Sequence, residues 1–360
     1  MRYTIDKKMK KPTYLQLYEE VREDIVRGVY PYGTRLPSKR LVAEELEIST
    51  ITVEHAYALL ADEGYVDPRE RSGYFVTFRG DDYFEGAREP LGNFQIEQPS
   101  PAAEYGFPFS VMARAMRKVI ADRAEQLLEK SPNQGCLSLR MAISEYLFRN
   151  RGIKATPEQI VIGSGAEYLY SLIVGLLGRE RIFALESPSY PKIEQVYRAS
   201  GVRCELLPLS ADGVDSAALA DTRASVLHIS PYRSFPTGIT ASASKKHEYI
   251  RWADRENRYL VEDDFESEFS ISKKSEETLY SLSKQGNVIY LNTFTQTVSP
   301  ALRVGYMVLP TALLACFCER VGFFSCTVPT FEQYLLCELL RSGDFERHVN
   351  RVRRQKRKGR

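Results

Sequence analysis

Leu17, Val21, Ile25 and Val26 recur at helical spacing in the stretch TYLQLYEEVREDIVRGVY. Pro31, Gly33 and Pro37 break that pattern, and Ser38 is placed to cap a second helix, KRLVAEELE. A short turn at Ile48 and Ser49 leads into a third helix, ITVEHAYALLADEGY, with Ser49 or Thr50 as its cap and Gly64 as its stop. YVDPRERSGYFVTF predicts two short strands around a turn at Arg71-Ser72-Gly73. Residues 79–107 are rich in Gly, Pro and acids, carry no period, and predict a linker. Beyond it, helical stretches (SVMARAMRKVIADRAEQLLE, CLSLRMAISEYLFRN, AEYLYSLIVGLL) alternate with short apolar strands (QIVIG, RIFALE, RCELLPL, SVLHIS, RYLVEDDF, NVIYLN). The alternation predicts an α/β domain over residues 108–346 with a mainly parallel sheet.

Helix, helix, tight turn, helix and hairpin, in that order over residues 1–78, is the order of a winged helix-turn-helix. Such a domain sets its third helix in the major groove of duplex DNA and its hairpin on the backbone. The start of that helix would present Thr50, Thr52 and His55 to the bases, and Arg35, Lys39 and Arg40 would approach phosphates. A small helical protein-interaction module would share the same helices. Charge alone does not choose between them, because residues 1–78 carry twelve basic and thirteen acidic side chains.

Charge changes the picture at the other end. The chain of 360 residues has a formal charge of only +2, yet residues 347–360 hold eight basic side chains and no acid. This basic tail is either a solvated helix face or a nucleic-acid contact. Hydrophobic residues make up 43% of the chain, enough for a sizeable core. The six cysteines form no disulfide framework, and the cluster Cys316, Cys318, Cys326 and Cys337 has no zinc spacing, so no metal is expected. The first residues lack the apolar core of a signal peptide, and no stretch reaches the ~18 apolar residues of a membrane span. A soluble cytoplasmic protein is expected.

LPSKRLVAEELEISTITVEHAYALLADEGYVDPRERSGYFV resembles the GntR-type regulator domain. Leu36-Pro37-Ser38, Arg40, Thr52-Val53, Ala56-Tyr57, Glu63-Gly64-Tyr65 and Gly73 match its pattern, while Thr50 stands where the family usually has arginine. The resemblance implies double-stranded DNA as a partner, with Arg35, Ser38, Lys39, Arg40, Ser49, Thr50, Thr52, His55 and Gly73 as the contact set.

In the larger domain, polar residues gather where strands end, the usual place for a ligand in an open α/β sheet. Ser164, Gly165 and Ala166 open a helix that favours phosphate. Asp263 follows RYLVE, Thr293 and Thr295 follow NVIYL, Arg303 offers a charge-assisted bond, and Tyr190 a flat ring. TPEQIVIGSGAEYLYSL, ESPSYP, FPTGIT, VEDDFESEF and SPALRVGYMVLP together resemble the fold-type I aminotransferases, the pyridoxal-phosphate fold, from about Phe107 to Arg354. Behind a GntR-type domain, that fold defines the MocR subgroup of regulators. The resemblance implies that Ser164, Gly165, Ala166, Arg303, Thr293 and Thr295 hold the phosphate. Tyr190 would stack on the ring, and Asp263 would pair with its nitrogen.

Three positions depart from the family. Gln296 stands where the resemblance places the Schiff-base lysine, and a carboxamide nitrogen is no nucleophile. Phe265 replaces a tyrosine, and Arg233-Ser234 a pair that is commonly histidine-glutamine. The family's small C-terminal domain, with its carboxylate-gripping arginine, is not expected within these residues. The expectation is a homodimeric DNA-binding regulator with a non-catalytic aminotransferase-like domain. It would take a small-molecule effector and bind pyridoxal phosphate weakly and non-covalently, if at all. The rival readings are a genuine pyridoxal-phosphate enzyme and a remnant of a longer regulator.

Overall fold

The computed structural model describes residues 3, 5, 11–70, 72–79, 106–255, 257–265, 267–270 and 277–358. Most of the expected linker, and Arg71, lie outside the described residues. The chain divides into two compact units, Met1–Gln98 and Pro99–Arg360.

In the first unit, α1 (Thr13–Val26), α2 (Lys39–Glu45) and α3 (Thr50–Asp62) are followed by the hairpin β1 (Val66–Arg69) and β2 (Gly73–Val76). Each helix start has a local cause. Ser38 accepts the N–H of Leu41, and Ser49 accepts that of Thr52, which settles the cap of α3 on Ser49. Leu17, Val21 and Ile25 from α1 pack with Val53, Ala56, Tyr57 and Leu60 from α3 and with Val66 and Val76 of the hairpin. The Tyr57 hydroxyl donates to Pro37 O at 3.1 Å, which ties α3 to the turn before α2.

The second unit begins with α4 (Phe109–Arg123) and α5 (Leu137–Arg151), then β3 (Ile160–Gly163) and α6 (Ala166–Leu177). There follow β4 (Ile182–Ser187), α7 (Pro191–Ala199), β5 (Arg203–Ser210), β6 (Gly213–Val214), α8 (Ser216–Asp221) and β7 (Val226–Ile229). Next come α9 (Ala243–Ala253), β8 (Tyr259–Asp263), α10 (Leu279–Leu282), β9 (Val288–Thr293) and β10 (Gly305–Val308). The unit closes with α11 (Leu314–Arg320), α12 (Thr330–Arg341) and α13 (Asp344–Lys358). Eight strands form one sheet in the order β3-β10-β9-β8-β7-β4-β5-β6. From β9 through β5 the pairs are parallel, and β10 runs antiparallel to both of its neighbours.

Period-two alternation serves two cores at once. On β9, Tyr290 joins a cluster with residues of α4, α5, α12 and α13, while Ile289 and Leu291 join one with α6, α7 and α11. Helices therefore cover both faces of the sheet. The basic run from residue 347 is not a free tail. Through Lys358 it is the outer side of α13, whose Phe345, His348, Val349 and Val352 are buried. Those positions follow helical spacing, and the first precedes the run, so the run read alone shows mainly its charged side.

Candidate nucleic-acid interface and ligand site

In the first unit, the residues at the start of α3 separate into two groups. Ser49 and Thr50 are exposed, as is His55, whose ring meets Tyr14 edge-on at 5.9 Å. Thr52 is half-buried, and its hydroxyl lies 2.8 Å from that of Ser49, so it belongs to the cap network. Ile51, 65% exposed, and Glu54 occupy the outer face alongside His55. Sequence reading missed both, although helical spacing from the buried Val53, Ala56 and Tyr57 would have found them. Arg40 is exposed beside the capping Ser38. Lys39 pairs with Glu54 at 2.8 Å, so part of its charge is already answered within the unit. Arg35 bridges to Phe75 of the wing. Gly73 has φ +105°, and a Cβ there would stand 3.0 Å from Arg35 Nε, so glycine lets that guanidinium lie across the turn.

In the second unit, strand register assembles the candidate ligand site. Gly305 at the start of β10 pairs with Gly163 on one side and Thr293 on the other. That brings together the chain leaving β3 at Ser164, the chain leaving β9 at Thr293 and the chain entering β10 after Arg303. Gly165, at φ +94°, turns into α6, and a Cβ there would lie 3.3 Å from Arg303 Nη2. The arginine thus sits directly over the helix start. Gly165 N–H is committed to Gly163 O at 2.8 Å, so the first turn of α6 beyond it supplies the anion-directed N–H groups.

Three further residues, unread in the sequence, complete this cup. The Thr327 hydroxyl donates to Ser164 Oγ at 2.8 Å. Glu167 in the first turn of α6 takes Arg303 at 3.4 Å and Lys192 of α7 at 3.0 Å. Glu167 also raises the Lys192 pKa, chiefly through that hydrogen bond. No motif marks Glu167 and Lys192, because their meeting depends on the packing of α7 against α6.

Deeper in the unit, Asp263 at the end of β8 is buried, accepts the Tyr170 hydroxyl and lies 3.4 Å from His228 Nε2. Burial, with Asp263 adding to it, holds Tyr170 far above the usual tyrosine range, so it stays a donor. The other His228 nitrogen lies 2.8 Å from the Tyr197 hydroxyl. Glu186, at the end of β4, accepts Ser234 Oγ at 2.7 Å and Ser230 N at 3.2 Å. Burial pushes its carboxyl up to about 7 despite those donors.

Of the positions where the resemblance fails, Gln296, Phe265 and Arg233 lie at the surface, while Ser234 is buried against Glu186. Gln296 is exposed in the loop after β9, between the half-buried Thr295 and the buried Thr297. Phe265 is 36% exposed and Tyr190 43% exposed, and the Tyr190 and Phe235 rings meet edge-on at 6.1 Å. Thr293 is buried at the strand end.

These residues divide the question of pyridoxal phosphate in two. The glycine-backed arginine at a helix start fits a phosphate, and the buried Asp263 carboxylate fits a protonated ring nitrogen. Gln296, at the position the resemblance gives to the Schiff-base lysine, itself offers no amine for covalent attachment. Lys245 Nζ is held by Val214 O and Lys246 Nζ by Glu277 O, both in buried positions on α9.

Comparison with known proteins agrees with this two-part construction. Residues 13–76 match the bacterial regulatory proteins of the gntR family, and residues 93–360 match aminotransferase class I and II. The uncharacterized HTH-type transcriptional regulator YdeL of Bacillus subtilis is 30% identical over 97% of this chain and 78% of its own length. The probable rhizopine catabolism regulatory protein MocR of Rhizobium meliloti is 28% identical over 97% of this chain and 76% of its own. Among solved structures, LysN of Thermus thermophilus, an α-aminoadipate aminotransferase, is similar at TM-score 0.62 and 29% identity. That match covers 70% of this chain and 65% of LysN, so the chain spans less than two thirds of the enzyme. With both modules matched in one chain, and a regulator aligned along nearly all of it, the chain belongs to the MocR-type transcription regulators of the GntR family.

Proposed function

We propose that this MocR-type regulator acts in the cytoplasm as a homodimer, with an aminotransferase-like unit that senses a small molecule and does not catalyse. The observation that carries this reading is Gln296, an exposed carboxamide at the position the resemblance gives to the lysine. DNA contact falls to the exposed face of α3 at Ser49, Thr50 and His55, with Thr52 in its cap. Arg35, Ser38, Lys39 and Arg40 serve phosphates, and Gly73 shapes the wing.

Pyridoxal phosphate, where it binds, is held by the cup and Asp263 without a covalent tether. Arg303 and the start of α6 would take the phosphate, with Ser164, Ala166, Thr293 and Thr295 around it, and Tyr190 would cover the ring. The group supplies electron withdrawal when bound; the chain's own residues bind and orient it. Lys192 is the one amine linked to the cup by a described contact, through Glu167. That ion pair favours its charged form, which is not a nucleophile.

Titration calorimetry tests the reading. Binding of pyridoxal phosphate should be reversible, competed by inorganic phosphate and abolished by Arg303→Ala. Yellow protein that survives dialysis, bleaches with borohydride and carries the label on a lysine would restore the enzyme reading.

A further inference from the structure

The second unit carries a surface that the ligand site does not use. On α13, Arg347, Arg351, Arg354 and Lys358 are all exposed and follow one another at intervals of four, three and four. At that spacing they share one side of the helix. Beyond Glu346 the described part of the helix carries no acid. The stripe extends about 16 Å, facing a length of duplex with on the order of ten phosphates.

The opposite side of α13 is committed to the core. Phe345 packs edge-on against Phe294 at 5.7 Å, His348 lies 4.8 Å from the Phe107 ring, and Arg353 Nε donates to Glu268 O at 2.6 Å. The helix is therefore fixed in place, and its charges are held at constant spacing. The same packing argues against a membrane surface, since an interfacial helix must offer its apolar side to lipid. Of the acids nearest the stripe, one answers part of the stripe's own charge at Arg347 and the other is taken elsewhere. Asp344 is shared by Arg347 and Arg114, and Glu346 pairs with Arg149.

The first unit makes such a surface useful. The charges of residues 1–78 nearly cancel, and Lys39 is already paired with Glu54. A DNA-binding chain needs positive charge for the counterion-release part of its affinity. We propose that the Arg347–Arg351–Arg354–Lys358 stripe is a second, sequence-independent DNA-contact surface that neutralises phosphates outside the segment read by α3.

The test is fluorescence anisotropy of the full chain with a mixed-sequence duplex of about 60 base pairs, titrated between about 50 and 200 mM salt. Replacing all four residues with glutamine should flatten the log–log salt slope by about 2.7, at about 0.9 for each of Arg351, Arg354 and Lys358, with a smaller share from Arg347, whose charge Asp344 already partly answers. Arg347→Lys, Arg351→Lys and Arg354→Lys together keep the charge and should keep the slope, which separates lost charge from lost folding. Arg40→Ala alone tests the first unit and should flatten the slope by about one contact's worth. If Arg40→Ala flattens the slope while the fourfold glutamine variant matches the parent, the stripe proposal fails and the reading of the first unit stands. A chain that binds no duplex at any salt overturns both. Stripe-dependent sedimentation with phosphatidylserine vesicles, without any effect on duplex binding, would overturn it in favour of a membrane surface.

Discussion

Two polar regions of the second unit sit on neighbouring strand ends and differ in how they are held. The cup of Ser164, Glu167, Lys192 and Arg303 is open, with Arg303 52% exposed in its side chain, and its ion pairs are exchangeable. Behind it, Asp264 is buried, takes a charged hydrogen bond from Arg151 and another from the Tyr290 hydroxyl at 2.6 Å. Asn292 Nδ2 donates to Glu268 Oε1 at 2.6 Å in the same interior. The contrast bears on what a change at each position costs the fold. Asp263 and Asp264 hold elements together whether or not a ligand is present. Gln296 and Phe265 are more exposed, so their replacement costs the fold little. Retention of Asp263 is therefore weak testimony for a ligand, and Arg303 over Gly165 is the stronger one.

Breaking the interior should have the largest effect. Asp264→Ala leaves Arg151 charged, buried and unpaired, and should cost about 3–5 kcal/mol. Urea unfolding of the second unit reads this directly. A loss below 1 kcal/mol, well under that range, would mean that the pair is not a structural element.

The next effect is on pH. Burial pushes Glu186, Glu262 and Glu268 each from 4.5 up to about 7. The folded chain then holds these protons more tightly than the unfolded chain. Their contribution to stability is full at the low end and falls as pH rises from 4.5 to about 7. Glu186→Gln, which keeps an acceptor for Ser234 and Ser230, should flatten that fall. Urea midpoints measured across the window check it, and parallel profiles for parent and variant would remove Glu186 from the account.

A smaller effect belongs to the cup. Glu167 competes with any anion for Arg303, so Glu167→Gln should tighten inorganic phosphate binding a few-fold, in line with exposed pairs worth about 0.2–1 kcal/mol. Weaker binding in calorimetry would show that Glu167 positions the arginine instead of opposing the ligand. The smallest change in stability is expected from Gln296→Lys, within about 0.5 kcal/mol for an exposed site. That variant should nevertheless add borohydride-sensitive absorbance with pyridoxal phosphate, without restoring transamination. A colourless variant that still binds the ligand would mean the loop does not aim residue 296 at it.

The sequence was most legible where one local pattern determines one outcome. Ser38 and Ser49 cap helices through their own neighbours, and Leu17, Val21 and Ile25 declare a buried side by spacing alone. The strand-end places of Ser164, Asp263 and Thr293 were legible because each closes or follows an apolar run. Glu167 and Lys192 were not, since each is an ordinary charged residue until α6 and α7 are packed. Thr52 read as a base contact because a hydroxyl near a helix start suits both a cap and a groove, and in the structure that hydroxyl lies 2.8 Å from Ser49 Oγ. The basic run looked like a tail because its apolar partners are interleaved among its charges. Most of the linker lies outside the described residues.

The antiparallel strand β10 has a consequence for the order in which the unit is made. Among the described strands, β3 has β10 as its only neighbour in the sheet, although β3 is the first strand of that sheet along the chain and β10 the last. During synthesis β3 emerges early and has no partner until nearly the whole sheet has followed it. Pairings of such long sequence separation form slowly, because the closure entropy is spent before the contact forms. The cup, which needs both strands, is therefore among the last features to assemble on the nascent chain. Until then IVIG is an unpaired apolar strand, the kind of surface that makes a partly folded chain prone to aggregate.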